Sequence, residues 1–330
     1  MPADVPELVG IGSPLVDLCI QVDDAFLNEH VAGAKGGMEL VGPDVVAKIL
    51  DAHGGMPAQA PGGAACNVAT GAANLGIRSA FVGATGDDDL AEYMRMSLAV
   101  QGCKTLMIER QDGHTGRVLA MITPDTQRTF RTYLGAAGSL HAADVNSQLF
   151  AGARYVIMEG YSLYDHELAR AIARAAHEAK ATLVLDFAAH EVVRNNRSVL
   201  DELLQASLVG VALLNQDEAA AWSGGSPLDA IDQIAPRVRL VAVKLGSEGA
   251  VLARGSERVR VQAHPTKAID TNGAGDAWAA GLLAGLIRGL PLERCADIAG
   301  RAGAAAVEVV GAQIPRPRWR EIRGRLDAWS

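Results

Sequence analysis

Short runs of β-branched and aliphatic residues alternate with longer alanine-rich segments of helical period over most of the chain, and that rhythm leaves few folds open. Parallel strands cannot be joined by tight turns, so each needs a crossover of helix length. Residues 8–12, 79–83, 155–159, 182–187, 208–215 and 240–245 read as strands, with 165–180 and 192–206 as crossover helices. Runs such as Val211-Ala212-Leu213-Leu214 are apolar throughout rather than alternating, which requires a sheet covered on both faces.

Residues 15–40 and 103–135 interrupt the rhythm. Both look strand-rich without a helix-length segment, and the second holds a hairpin-like turn at Thr123-Pro124-Asp125-Thr126. They are expected to form a small β-sheet lid from two insertions, leaving 1–14, 41–102 and 136–330 as the discontinuous core. Such an appendage closes over a substrate and excludes water, or serves as a homodimer surface, and one sheet can do both. At 330 residues the chain exceeds what one hydrophobic core usually organises, which agrees with a large unit and a smaller one.

Composition narrows the ligand. A net charge of −8 without a lysine or arginine run repels nucleic acid, and 4% aromatic residues are too few for stacking platforms along a strand. Cys19, Cys66, Cys103 and Cys295 form no C-x-x-C pair, so neither a zinc site nor a disulfide framework is expected. The first residues lack the basic and apolar regions of a signal peptide, and the apolar stretch 277–287 is too short to span a bilayer. The expectation is a cytoplasmic protein with a small-molecule partner and no membrane or nucleic-acid partner.

Three glycine-bearing motifs carry the chemistry. In Asp270-Thr271-Asn272-Gly273-Ala274-Gly275-Asp276, small residues leave backbone N–H groups unshielded at a helix start, where the macrodipole adds about half a positive charge. Phosphate oxygens suit that position, and Asp276 in the first turn can take a proton from an attacking hydroxyl. An ordinary capped helix with a dipole-matched carboxylate is the alternative. In Pro61-Gly62-Gly63-Ala64-Ala65-Cys66-Asn67, paired glycines let a ligand touch backbone, and Asn67 can donate and accept toward sugar hydroxyls. Taken alone, those residues favour the plainer reading of a glycine turn before a helix. In Gly10-Ile11-Gly12-Ser13-Pro14-Leu15-Val16-Asp17, Asp17 stands at a strand end, where a carboxylate can grip two hydroxyls or simply carry surface charge. A Walker A loop is absent, and the G-x-G at 273–275 lacks the third glycine of a dinucleotide fingerprint.

In this order, and together with Asn215-Gln216-Asp217-Glu218 and Lys244-Leu245-Gly246-Ser247-Glu248-Gly249, the motifs resemble the ribokinase (PfkB) family of sugar and nucleoside kinases over nearly the whole chain. The resemblance implies a ribokinase-like α/β fold, a three-layer α/β/α core with a mostly parallel sheet plus a small β lid. It also implies an ATP-dependent phosphotransferase that uses Mg2+. By similarity Asp276 would be the catalytic base, and Gly273, Ala274 and Gly275 the anion hole. Asn215 and Glu218 would place the magnesium–nucleotide complex through water. Lys244, Gly246 and Gly249 would border the nucleotide, with Lys244 where many members carry threonine. Asp17, Gly62, Gly63 and Asn67 would hold acceptor hydroxyls, and Asp270 resembles a position that binds a monovalent cation such as K+ in some members.

The first motif looks closer to the opening of adenosine kinases than to that of sugar kinases, although Ser13 replaces an asparagine. Arg128-Thr129-Phe130-Arg131-Thr132-Tyr133-Leu134-Gly135-Ala136 resembles the lid segment of adenosine-kinase-like bacterial members. There Phe130 and Leu134 would wall a purine, and Arg128 could approach the phosphates. Tyr161 resembles the aromatic that stacks on the base, a contact worth about 1–3 kcal/mol. Core packing is the alternative for Phe130 and Tyr161. Adenosine is thus the first acceptor expected, ribose, fructose or a related sugar the next, and a catalytically silent nucleotide-binding protein the reading from another class.

Overall fold

The structure, a computed structural model, describes residues 5–125 and 127–330; Thr126, in the expected hairpin turn, lies outside the described residues. Among those described, the chain forms fourteen strands: β1 (Leu8–Ile11), β2 (Leu15–Gln21), β3 (Met38–Leu40), β4 (Ala58–Gly62), β5 (Ser79–Gly86), β6 (Cys103–Arg110), β7 (Gly116–Ile122), β8 (Arg128–Tyr133), β9 (Tyr155–Glu159), β10 (Thr182–Asp186), β11 (Val209–Asn215), β12 (Leu240–Lys244), β13 (Ala250–Arg254) and β14 (Glu257–Val261). They assemble into a nine-stranded sheet, ordered β14-β13-β12-β11-β10-β9-β1-β5-β6, and a five-stranded sheet, ordered β3-β8-β7-β2-β4. In the large sheet every pair from β12 to β6 is parallel, while β13 and β14 add antiparallel pairings at one edge.

The unbroken apolar strands are explained by what lies on each side. On β10, Leu183 and Leu185 pack with Ile172 and Leu203 of the helices His166–Glu178 and Arg197–Gln205. Val184 between them packs with Leu282 and Ile298 of Ala274–Ile287 and Leu292–Val307 on the other face. Each such side chain contributes about 1.5–3 kcal/mol when fully buried. The segment 192–206 is two helices, His190–Asn195 and Arg197–Gln205, because the buried Asn196 side chain donates back to the Val192 carbonyl between them.

Two strand assignments differ from the sequence expectation. Residues 103–110, expected in the lid, form β6 and pair parallel with β5 at the edge of the large sheet. Ala58–Gly62, expected in the core, closes the small sheet beside β2 as β4. Segment 15–40 also contains a two-turn helix, Asp24–His30, capped by the Asp23 side chain.

The small sheet has two different faces. Val16, Leu18, Ile20, Leu119 and Met121 pack against Leu27, Val46 and Ile49 of the helices Asp24–His30 and Pro43–His53. The alternate residues Leu15, Asp17, Val118, Phe130 and Thr132 face a cleft shared with the large sheet. A homodimer through the small sheet would therefore meet a face already covered by the same chain, and its edges remain. No helix among the described residues is long and apolar enough to cross a membrane.

Because β1 lies between β5 and β9, the order of connection reverses at β1. Ligands of open parallel sheets bind outside the carboxyl ends of the strands at such a switch.

Candidate active site

Four successive parallel strands end in a polar residue: Glu159 on β9, Asp186 on β10, Asn215 on β11 and Lys244 on β12. Over this row lies a cleft of about 1450 Å³, walled by both sheets and by the start of Ala274–Ile287.

Gly273 caps that helix at φ 73°, in the left-handed region, and a Cβ on it would collide with Ala312. The first-turn amides that follow have no partner within the helix itself and carry its positive dipole end. Lys244 reaches the same place. Its ammonium lies 3.3 Å from where a Cβ on Gly275 would stand, and it donates to Asp186 Oδ2 at 3.1 Å. Burial works against the lysine charge, but Asp186 and Glu218 outweigh it and hold the group above its ordinary value.

Asp276 sits in the first turn, and its Oδ2 accepts a 2.9 Å hydrogen bond from Asn67 Nδ2. Burial pushes its carboxyl up to about 7; Asn67 and Lys244 pull downward, and Asp186 and Glu159 push further up. Asn67 Oδ1, facing away from this bond, is buried without a partner. An unpaired buried acceptor costs about 1–3 kcal/mol.

Asn215 and Glu218 form a capping box at the start of Gln216–Ser223. Asn215 Oδ1 accepts from the Asp217 and Glu218 amides, and Glu218 accepts from the Asn215 amide at 2.8 Å and from Nδ2 at 2.6 Å. Burial and the charge of Asp186 push the Glu218 carboxyl upward. The structural and functional readings of this element hold together: the cap fixes a carboxylate at the cleft wall.

At the other end, Asp17 projects from β2 of the small sheet, not from the carboxyl edge of the large one as the sequence suggested. Burial raises its carboxyl to about 6, and Arg128 pulls it partly back. Gly62 packs against this carboxylate, 2.9 Å from Oδ1 to a built Cβ, and Gly63 turns at φ 101° where a side chain would meet the Ser13 carbonyl.

Of the residues singled out from sequence, Ser13, Asp17, Gly63, Asn67, Phe130, Leu134, Tyr161, Asn215, Glu218, Lys244, Gly246, Gly249 and 273–276 line the one cleft. Gly62, Arg128 and Asp270 do not line it. Arg128 Nη2 pairs instead with Asp270 Oδ2 at 2.6 Å, which also accepts from the Gly311 amide, while Oδ1 accepts from Asn272. Sequence reasoning missed Glu159 and Asp186. Their signal was the abrupt end of an apolar strand in a carboxylate, repeated on neighbouring strands.

The family of pfkB carbohydrate kinases matches residues 43–319. An adenosine kinase of Schizophyllum commune is 27% identical over 94% of this chain and 98% of its own length. A fructokinase of Klebsiella pneumoniae is 30% identical over 86% of this chain and 97% of its own. Among solved structures, the adenosine kinase from Sinorhizobium meliloti superposes with a TM-score of 0.86 at 32% identity, covering 98% of this chain and 99% of that one.

Proposed function

The chain belongs to the pfkB family of carbohydrate kinases, and from that premise we propose that it transfers the terminal phosphoryl group of ATP to the hydroxymethyl group of a nucleoside, adenosine first. The observation that carries this reading is the Asn67–Asp276 pair. The Asn67 amide holds the Asp276 carboxylate, and both side chains line the cleft at the start of Ala274–Ile287.

In this mechanism the acceptor hydroxyl lies against Asp276, which takes its proton as the oxygen–phosphorus bond forms and the bond to ADP breaks. A carboxyl raised to about 7 is a base matched to neutral pH. The first-turn amides after Gly273 and the Lys244 ammonium face the charge that develops on the transferred group. Asp17, Ser13, Gly63 and Asn67 hold the acceptor hydroxyls, and Gly246 and Gly249 border the nucleotide.

The carboxylates of Glu218 and Asp186 line the cleft and would hold Mg2+, an ion that keeps several waters and binds through one or two carboxylates plus nucleotide phosphates. Bound there, it would neutralise phosphate charge. A monovalent cation does not fit at Asp270, whose carboxylate already receives two amides and a guanidinium.

The choice of nucleoside rests on the width and apolar character of the acceptor end. Phe130 and Leu134 line it with Met38, Leu40 and the half-exposed Tyr161. The similarity to fructokinase supports a second reading, a sugar acceptor. A screen of ADP release against nucleosides and sugars separates them. Turnover with adenosine at low KM is expected; turnover with sugars alone transfers the reading to them. No turnover, with ATP still raising the melting temperature, would make the chain a binding protein.

A further inference from the structure

Residues 311–313 lie on the loop between the helices Leu292–Val307 and Arg316–Asp327, outside the cleft, and each holds a different segment beside it. The Gly311 amide donates to Asp270 Oδ2 at 2.6 Å. Ala312 abuts the helix cap at Gly273, where a Cβ would stand 2.5 Å from its own. Gln313 Nε2 donates to the Pro61 carbonyl at 2.8 Å. The loop is anchored at both ends. The Val307 carbonyl accepts the amides of Ile269 and Asp270, and Ile314 is buried in the core with Ala280 and Leu283 of Ala274–Ile287.

Pro61 is buried on β4, the edge strand of the small sheet. The outward carbonyls of an edge strand have no neighbouring strand to serve them, and a buried one needs a donor from elsewhere. Gln313 supplies that donor from the far side of the molecule's sequence. Gln101 Nε2 approaches Gln313 Oε1 at 3.5 Å on the opposite side, which agrees with an amide turned so that its NH2 meets Pro61. The role is specific to this side chain, since methionine of similar length has no donor and glutamate would set an acceptor against an acceptor. Gly62 and Gly63 follow Pro61 directly and open Ala64–Asn74, the helix that carries Asn67. One three-residue stretch therefore holds both helix starts whose side chains, Asn67 and Asp276, meet in the cleft.

We infer that Gln313 is a positioning residue for phosphoryl transfer: by tying Pro61 to the stretch that abuts Gly273, it sets the spacing between the turn at Gly62–Gly63 and the turn at Gly273. This rests on the reading that the first turn receives the acceptor and the second faces the transferred group. Gln313 touches neither reactant. Spacing of this kind bears on transfer more than on the binding of either reactant, because a small misplacement of reacting atoms costs far more in rate than in affinity.

The experiment uses the full chain carrying Gln313→Met, nearly isosteric, or Gln313→Glu. Two rates are measured on each sample: phosphorylation of the acceptor that the wild type turns over, and release of inorganic phosphate from ATP to water without acceptor. The ratio of the first to the second should fall about 10-fold in both variants, with KM for ATP and for the acceptor each within about 3-fold of wild type. Loss of folded protein lowers both rates together and leaves their ratio unmoved, so the ratio reads alignment rather than stability. Without any ligand, amide hydrogen exchange at Gly62 and Gly63 should speed up about 5-fold or more. Gln313→Met decides the matter if Gln313→Glu does not fold. An unchanged ratio in folded Gln313→Met overturns the proposal, as does a rise in acceptor KM that accounts for the whole loss of rate. If the wild-type chain phosphorylates neither nucleosides nor sugars, the functional reading fails, while the exchange measurement still decides whether Gln313 holds the turn.

Discussion

The Arg128 guanidinium, on strand β8 of the small sheet, lies 2.6 Å from the Asp270 carboxylate on the loop that leads into the helix Ala274–Ile287. Both side chains are nearly buried, 12% and 11% exposed, so the pair ties the small sheet to the loop at the end of the cleft where that helix starts. Removing one partner of such a pair leaves the other without its counter-charge, at a cost of about 3–5 kcal/mol.

With the guanidinium already in place, exchanging potassium for sodium or choline should change wild-type turnover less than about 2-fold, whereas Arg128→Ala should melt earlier and turn over more slowly. Rates in the three salts, for both proteins, check this. Strong potassium activation of the wild type would contradict it.

Asp276→Asn keeps an acceptor for Asn67 but no base, so turnover should fall by ~10²–10⁴ while nucleotide and acceptor still bind. Coupled ADP release measures the first and ligand-dependent melting the second. Near wild-type turnover would remove Asp276 from the chemistry.

The raised Asp276 carboxyl also fixes a pH dependence. Its folded value is about 7 against an ordinary 3.8, so the folded protein holds a proton that the unfolded chain has lost between those values. Its contribution to stability is full below about pH 4 and lost as pH rises toward 7. The melting temperature of Asp276→Asn relative to wild type should therefore be higher at pH 8 than at pH 5. For the wild-type enzyme, kcat/KM should rise through pH 7 as the base deprotonates. A flat profile from pH 5.5 to 8 would assign the rate to another group.

Replacing Phe130 or Tyr161 by alanine should raise KM for a nucleoside about 10-fold, from a lost contact of about 1–3 kcal/mol, and leave KM for a bare sugar nearly unchanged. Equal losses for both acceptor classes would show that these rings only pack the wall.

Much of this was legible before the fold. The parallel sheet was readable because β9 to β12 are apolar on both faces, and the place of Asp276 in the first turn of a helix was readable from the glycines before it. Strand partnership was not. β6 shows the same local pattern whichever sheet receives it, and Ala-Gln-Ala-Pro-Gly of β4 has no β-branched residue to announce a strand at all. Arg128 illustrates another limit: the sequence places a cation in the lid, but only the fold brings Asp270 to it. Glu159 ends an apolar strand, which the sequence shows, but the Ser13 and Ala65 amides it accepts from are brought to it only by the fold.

One hydrophobic cluster joins Leu18, Leu119 and Met121 of the small sheet to Ala65 and Ala69 of the helix Ala64–Asn74, to Phe81 of β5 and to Met94 of Asp89–Val100. The small sheet is consequently no detachable module. A chimera that swaps residues 15–40 and 103–135 from a relative would set foreign side chains against Phe81 and Met94. Grafting a new acceptor preference means transplanting the stretch from β2 through β8 as one unit.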